Sequence, residues 1–166
     1  MTKKVKILIA AGGTGGHVFP AYSLAKDLIE KKNKVELITD LRGYNLLKNY
    51  KELKLKKISS SPIIKKNILT IFSSIILILF SITRSLFYLI SNRPKIIFGM
   101  GGYSSFPICI AASILKIKFV IYENNLIIGK TNKYLLPFTK KLFVSYKNLE
   151  GIPKKYDNKI CFVYTC

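Results

Sequence analysis

Residues 5–20 read V-K-I-L-I-A-A-G-G-T-G-G-H-V-F-P, and this segment gives the clearest indication of the fold. A short apolar run leads into the glycine-rich loop G-G-T-G-G, and apolar residues at helical spacing follow. The run predicts a buried strand over residues 5–11, and the spacing predicts a helix over residues 20–32 with Pro20 in its first turn. A strand that enters a helix through a glycine loop is typical of α/β sheets.

The same alternation of apolar runs and helical segments continues along the chain. It predicts strands at residues 35–39, 55–58, 96–99, 119–122 and 142–144, and helices at residues 44–50, 106–115 and 129–135. Apolar strands that alternate with helices form a parallel sheet covered on both faces. We therefore predict an α/β fold with a Rossmann-like parallel sheet, whose active groups gather at the carboxyl ends of the strands.

Length and composition predict one domain over residues 1–166. Of the 166 residues 49% are hydrophobic, which is enough for a substantial core. The three cysteines, Cys109, Cys161 and Cys166, do not form a disulfide framework, and such sparse use suits a reducing cytoplasm. The sequence has no C-x-x-C or D-x-D pair, so it predicts no metal site.

The net charge of +20 raises the hypothesis of a nucleic-acid binder. Only Arg42, Arg84 and Arg93 of the 28 basic residues are arginines, the residue that base and phosphate readers favour. Abundant Lys, Ile and Asn are also what an AT-rich genome encodes, so we predict no nucleic-acid partner. No acidic residue lies between Glu52 and Glu123, where the most apolar run also lies. A basic, apolar surface is one that an anionic bilayer attracts.

Residues 68–83 are sixteen uncharged residues in a row. Three interpretations are open: a buried or half-buried core helix, a helix lying on a membrane surface, and a helix that spans a membrane. Basic flanking residues favour contact with a membrane surface. The residues predicted for that surface are Lys65, Lys66, Ile75, Leu79 and Arg84.

The first glycine loop, residues 12–16, precedes a predicted helix amino terminus, which suits a pyrophosphate. It is neither common nucleotide fingerprint: G-x-G-x-x-G would need glycine where Val18 stands, and a P-loop would need G-K-[ST]. The G-K-T at residues 129–131 lacks the P-loop glycine five residues earlier, so we interpret it as chance. His17 is the only histidine of the chain. It is either a structural residue or a base that takes a proton from a hydroxyl.

Two further loops follow predicted strands: G-M-G-G-Y-S-S at residues 99–105 and Y-E-N-N at residues 122–125. In a parallel sheet both loops lie at the same edge as His17, so their polar groups share one crevice. An alternative is that Glu123 and Asn125 only cap the next helix.

Together the three loops, with G-K-T-N at residues 129–132, resemble the amino-terminal domain of the MurG family, in glycosyltransferase family 28. The resemblance runs in register over residues 6–164. It implies the amino-terminal half of a GT-B fold and no cofactor. It also implies metal-independent, inverting transfer of GlcNAc from UDP-GlcNAc to the C4 hydroxyl of undecaprenyl-diphospho-MurNAc-pentapeptide (lipid I), which gives lipid II in peptidoglycan synthesis.

The resemblance also implies roles for individual residues. His17 is the catalytic base. Thr14, Gly15, Gly16 and Asn125 contact UDP-GlcNAc. The cleft for the acceptor and its diphosphate is formed by Gly12, Gly13, Gly101, Gly102, Tyr103, Ser104 and Glu123. The basic, apolar stretch contacts the anionic membrane, which implies a peripheral protein on the cytoplasmic side of the bacterial inner membrane.

The sequence departs from the family in two places. The family loop H-E-Q-N is here Y-E-N-N, so Tyr122 and Asn124 differ. Family members also continue past a strand like residues 162–165 into a G-N-P-x-R motif and a donor-binding domain, which residues 1–166 lack. We therefore expect little or no transfer by these residues alone. The alternative is a non-catalytic membrane-docking or acceptor-binding subunit that works with a separate carboxyl-terminal domain chain.

Overall fold

The computed structural model describes residues 4–58 and 68–163, with only the helical backbone for residues 68–71. In this part of the chain seven strands form one parallel sheet in the order β3-β2-β1-β4-β5-β6-β7. They are β1 Lys6–Ala10, β2 Lys34–Thr39, β3 Lys54–Lys57, β4 Ile96–Gly99, β5 Phe119–Glu123, β6 Leu142–Val144 and β7 Ile160–Phe162. The predicted Rossmann-like parallel sheet is confirmed.

Helices connect the strands and cover both faces of the sheet. They are α1 Gly15–Glu30, α2 Leu41–Leu47, α3 Ile68–Asn92, α4 Ser105–Ile114 and α5 Lys130–Leu135, and a 3-10 helix, Lys154–Lys159, precedes β7. One apolar core contains residues of α1 and α2, and a second contains residues of α3, α4 and α5. From β1 the chain builds the sheet outwards through β2 to β3 and then returns to add β4 on the other side of β1. The strand order therefore reverses between β1 and β4, and a crevice opens at such a switch point.

Two helices begin earlier in the chain than the sequence pattern predicts. Helix α1 begins at Gly15 rather than residue 20, so Pro20 lies inside the helix. Helix α2 begins at Leu41 rather than residue 44, because the Asp40 side chain accepts a hydrogen bond from the Gly43 N–H and caps the helix. Apolar periodicity shows where a helix is buried, whereas its caps decide where it begins.

The last strand also lies earlier than expected. The family pattern placed it near residues 162–165, but β7 is Ile160–Phe162 and residues 164–166 lie outside the described part. Pairing with β6 sets this position, because Leu142 lies opposite Ile160 and Val144 opposite Phe162. Sequence pattern alone did not reveal that register.

Helix α3 exposes most of its apolar side chains. Its buried residues in the described part are Ser74, Ser81, Ser85 and Leu89. The hydroxyls of Ser81 and Ser85 donate to the carbonyls of the residues four positions earlier, at 2.8 and 2.7 Å. Its exposed apolar residues are Phe72, Ile75, Ile76, Leu77, Leu79, Phe80, Phe87 and Ile90. A fully buried core helix is therefore excluded for the described length of α3, whereas a half-buried helix, with Leu89 in the core and Leu86 and Tyr88 packed against it, agrees with the structure.

Length and composition would allow the segment Phe72–Asn92 to cross a membrane, with a mean hydropathy of 1.9 over its 18-residue window, of which 17% is buried. Core helices of soluble proteins can have the same length and composition, so these two properties do not establish that α3 crosses a membrane. Of the residues predicted for a membrane surface, Ile75, Leu79 and Arg84 lie exposed on α3. Lys65 and Lys66 lie outside the described residues.

Candidate active site at the carboxyl edge of the sheet

The glycine loops after β1 and β4 pack against each other. The Gly12 N–H donates to the Gly101 carbonyl at 3.3 Å. A Cβ at Gly102, where φ is +78°, would collide with the Gly12 carbonyl, and a Cβ at Gly12 would collide with the Ser104 hydroxyl. Glycine is therefore required here for close approach of two backbones. Ser104 is fully buried and stands behind the loops.

Asp40, at the end of β2, holds the first loop in place. One carboxylate oxygen accepts from the Gly13 N–H at 3.0 Å and lies 3.4 Å from the Arg42 guanidinium, and the other accepts from the Gly43 N–H at 2.9 Å. Asp40 is buried. Sequence reasoning missed this residue, although an acidic residue directly after a strand and before a helix is a recognisable cap signal.

The amino terminus of α1 presents free N–H groups. Thr14 is the N-cap residue, with an extended backbone and no side-chain cap. The N–H groups of His17 and Val18 donate to the Thr14 carbonyl, whereas those of Gly15 and Gly16 have no acceptor among the described residues. Exposed N–H groups and the helix dipole together favour an anion at this position.

His17 lies in the first turn of α1 and packs over the second glycine loop. A Cβ at Gly101, where φ is +91°, would stand 2.7 Å from Nδ1 of His17. This Nδ1 is buried and has no hydrogen-bond partner in the described part of the chain. Burial of Nδ1 leaves Nε2 as the ring nitrogen that a molecule in the crevice can reach.

Glu123, the last residue of β5, organises the third loop. Its Oε1 accepts from the N–H and the side-chain amide of Asn125, at 3.1 and 2.6 Å. Its Oε2 accepts from the Gly129 N–H at 2.8 Å and from the Asn132 amide at 3.0 Å. Gly129 is the N-cap residue of α5, so Glu123 does contact the start of that helix, but Glu123 and Asn125 also line the cavity described below and do not only cap the helix. Four donors saturate this buried carboxylate, which suits a positioning role.

These elements border an open cavity of about 280 Å³. It is lined by His17, Gly101, Gly102, Tyr103, Glu123, Asn125, Gly129, Lys130, Thr131 and Asn132. Basic, acidic, amide and hydroxyl groups thus converge on one crevice at the carboxyl edge of a parallel sheet, the usual ligand position in such folds.

Six of the predicted site residues line this cavity: His17, Gly101, Gly102, Tyr103, Glu123 and Asn125. The other six, Gly12, Gly13, Thr14, Gly15, Gly16 and Ser104, form the adjoining loop and its support. Sequence reasoning gave no role to Lys130, which belongs to the G-K-T run interpreted as chance. Although that run is no P-loop, its residues Lys130 and Thr131 do line the cavity.

Among residues 4–58 and 68–163, no three His, Cys, Asp or Glu side chains come together as a metal site would require. Tyr122, which stands where the family has histidine, shares a 2.7 Å hydrogen bond with the Ser145 hydroxyl between the ends of β5 and β6. Tyr122 therefore links the ends of two neighbouring strands beside the third loop.

Comparison with known proteins identifies the class. Residues 7–144 match the glycosyltransferase family 28 N-terminal domain. Because the match covers most of the chain, the chain belongs to that family. Its fold corresponds to the amino-terminal half of a GT-B glycosyltransferase.

Individual proteins that are similar to this chain agree with the family assignment. The chain is 39% identical over 155 residues to the UDP-N-acetylglucosamine–N-acetylmuramyl-(pentapeptide) pyrophosphoryl-undecaprenol N-acetylglucosamine transferase of Pelagibacter ubique, covering 93% of this chain and 43% of the relative. Acinetobacter baumannii MurG superposes with a TM-score of 0.79 at 25% identity, over 96% of this chain and 45% of that one. The chain thus spans less than half the length of these relatives.

A more distant structure shares the fold alone. UDP-GlcNAc 2-epimerase from Neisseria meningitidis, solved with UDP-GlcNAc, superposes with a TM-score of 0.65 at 16% identity, over 95% of this chain and 45% of that one. The sheet and its helices therefore occur in both transferases and epimerases, so function has to be argued from the site.

Proposed function

We propose that this chain is the acceptor-side domain of a transferase that moves GlcNAc from UDP-GlcNAc to lipid I and gives lipid II. The observation that carries the proposal is the placement of His17, the only histidine, on the wall of a polar cavity in a family 28 domain. The relatives' names supply the substrates.

The chemistry follows from that placement. The C4 hydroxyl of the MurNAc attacks the anomeric carbon of GlcNAc as the bond to UDP breaks, which inverts the anomeric centre. Nε2 of His17 takes the hydroxyl proton, and UDP leaves with the bonding electron pair. A positioned base of this kind contributes on the order of 10²–10⁴-fold in rate.

The diphosphate of the acceptor needs positive groups. The Gly15 and Gly16 N–H groups lie at the amino terminus of α1, and Lys130 lines the cavity. Lys130 would favour the diphosphate of the acceptor, whereas the helix amino terminus would favour the diphosphate of UDP-GlcNAc. Thr14, Gly15, Gly16 and Asn125 are proposed to contact the sugar nucleotide from this side of the cleft. The residues proposed to form the cleft for the acceptor and its diphosphate are Gly12, Gly13, Gly101, Gly102, Tyr103, Ser104 and Glu123.

We also propose peripheral binding at the cytoplasmic face of the bacterial inner membrane, where lipid I is available. The exposed apolar side chains of α3, with Arg84 at 5.7 Å from the Phe80 ring, support it. Apolar side chains enter the interface while basic groups meet anionic headgroups. Such binding would bring the acceptor lipid and the domain to the same surface.

A GlcNAc-transfer assay tests the proposal. Residues 1–163 are joined to the carboxyl-terminal half of the Pelagibacter ubique relative and supplied with UDP-GlcNAc and lipid I in anionic vesicles. We expect lipid II, a loss of at least about 100-fold with His17→Ala, and little product from the 166-residue chain alone. A folded chimera that binds UDP but makes no lipid II, or that is unaffected by His17→Ala, contradicts the proposal.

The same assay distinguishes the proposed transferase domain from the alternative, a non-catalytic docking or acceptor-binding subunit. Such a subunit would bind lipid I and support transfer by a separate donor-domain chain, and His17→Ala would leave that support intact.

A further inference from the structure

Pro20 leaves one carbonyl of α1 without its helical donor. In an α-helix each N–H donates to the carbonyl four residues earlier, and proline has no N–H. Pro20 lies inside α1, so the Gly16 carbonyl cannot receive that bond. Gly16 directly precedes His17, which makes this the carbonyl of the peptide that joins Gly16 to His17.

Asn124 supplies the missing donor from another part of the chain. Its Nδ2 donates to the Gly16 carbonyl at 2.6 Å across a sequence separation of 108 residues. On the same peptide plane, the His17 N–H donates to the Thr14 carbonyl at 3.1 Å. Both polar atoms of the Gly16–His17 peptide are therefore held.

The loop that carries Asn124 is itself fixed. Glu123, its neighbour, is buried and accepts from Asn125 on the other side, at both the backbone and the side chain. Asn124 thus reaches α1 from a loop whose two flanking residues are hydrogen-bonded to each other. A rigid support of this kind is what a positioned functional group requires.

We propose that Asn124 is a positioning residue for His17, which acts by fixing the Gly16–His17 peptide. This rests on the proposed function for the role of His17 as base, whereas the physical coupling of Asn124 to His17 stands apart from it. The hydrogen bond from Asn124 joins the third loop, which lines the cavity, to the first turn of α1. It therefore fixes the position of His17 relative to that loop.

The test uses NMR of the 166-residue chain, because its only histidine gives a single set of imidazole signals. Asn124→Asp keeps the size of the side chain and removes the donor, whereas Asn124→Gln retains an amide. We expect Asn124→Asp to shift the His17 ring signals and the amide signals of residues 15–18, and Asn124→Gln to restore them towards wild type. The matched control is Asn45→Asp, at an exposed position of α2.

Pro20→Ala provides a second, independent arm. Alanine restores an N–H that can donate to the Gly16 carbonyl, so Asn124→Asp should shift the His17 signals less in this background than in wild type. Unchanged His17 signals in Asn124→Asp, or equal shifts in both backgrounds, would overturn the proposal. Neither readout requires glycosyl transfer. A positive NMR result with no transfer by the chimera would therefore contradict the proposed function and leave the coupling standing.

Discussion

Glu123 shows how much of the site can be predicted at the scale of a residue. Its place after a strand predicts that it lies at the crevice, and the structure has it lining the cavity. Its four donors come from Asn125, Gly129 and Asn132, whose approach depends on how the loop folds back. Contacts of this kind, like that between Asp40 and Gly13, join residues whose pairing no local pattern encodes.

Replacement of Glu123 by glutamine should destabilise the domain. One acceptor oxygen becomes an amide that faces N–H donors, which leaves buried groups unpaired. We expect a loss of about 1–3 kcal/mol in the free energy of unfolding, measured by urea denaturation. The control, Glu30→Gln at the exposed end of α1, should change stability by less than about 0.5 kcal/mol. Equal stability of Glu123→Gln and Glu30→Gln would show that the hydrogen bonds of Glu123 do not support the loop.

Alanine at Gly101 should displace His17. The residue has φ +91°, and a Cβ there would stand 2.7 Å from Nδ1 of the imidazole. We expect a cost of about 1–2 kcal/mol from the backbone conformation and, in addition, a shift of the His17 ring signals in NMR spectra. Gly151→Ala is the matched control, because Gly151 has φ +84° and its Cβ would meet Ile128 instead. It should lose similar stability without moving the His17 signals; if both variants leave these signals in place, the packing of His17 over Gly101 is contradicted.

At the scale of an element, α3 is where sequence reasoning left most open. An uninterrupted apolar run predicts a helix but does not show which face is buried. The answer depends on packing, because α3 turns Ser81, Ser85 and Leu89 inwards and α4 offers the small residues Ala111 and Ala112 to the same core. The small side chains let α3 and α4 pack closely. The larger apolar side chains of α3 lie on its outer face, away from α4.

The outer face of α3 should bind anionic membranes. Ile75 and Leu79 are 48% and 58% exposed, so their replacement by serine removes apolar surface without opening the core. We expect the double variant to bind anionic vesicles more weakly in co-sedimentation, and wild type to prefer anionic over zwitterionic vesicles by a margin that shrinks with salt. The control replaces Leu41 and Leu46, exposed on α2 at the other face of the sheet. Equal binding by the two double variants would count against α3 as the docking surface.

Helix α4 gives a second test through its cysteine. Cys109 is fully buried, and burial raises the pKa of its thiol well above the ordinary value. A protonated, inaccessible thiol does not react with alkylating reagents. Mass spectrometry of the native chain after brief alkylation should find Cys109 unmodified while Cys161, which is partly exposed, is labelled. Labelling of Cys109 at the same rate in native and urea-unfolded protein would contradict the packing of α4 on the sheet.

At the scale of the whole molecule, alternation of strands and helices was sufficient to predict the fold. Glycine loops follow two strands that lie side by side, β1 and β4, and they meet where the order of the sheet reverses. The location of the cavity follows from that topology. The dimensions of the cavity do not follow from the topology. They depend on the hydrogen bonds of Asp40, Glu123 and Asn124, which hold the loops at this edge of the sheet.

We propose that the cavity beside His17 takes the diphosphate-linked MurNAc acceptor. The most direct measurement is an NMR titration of the 166-residue chain with a soluble, short-chain analogue of lipid I, in which the single imidazole reports on the cavity. We expect a saturable shift of the His17 ring signals, weakened by Lys130→Ala and unchanged by Lys26→Ala at an exposed position of α1. Saturable binding that leaves the His17 signals in place, or no binding at all, would contradict it.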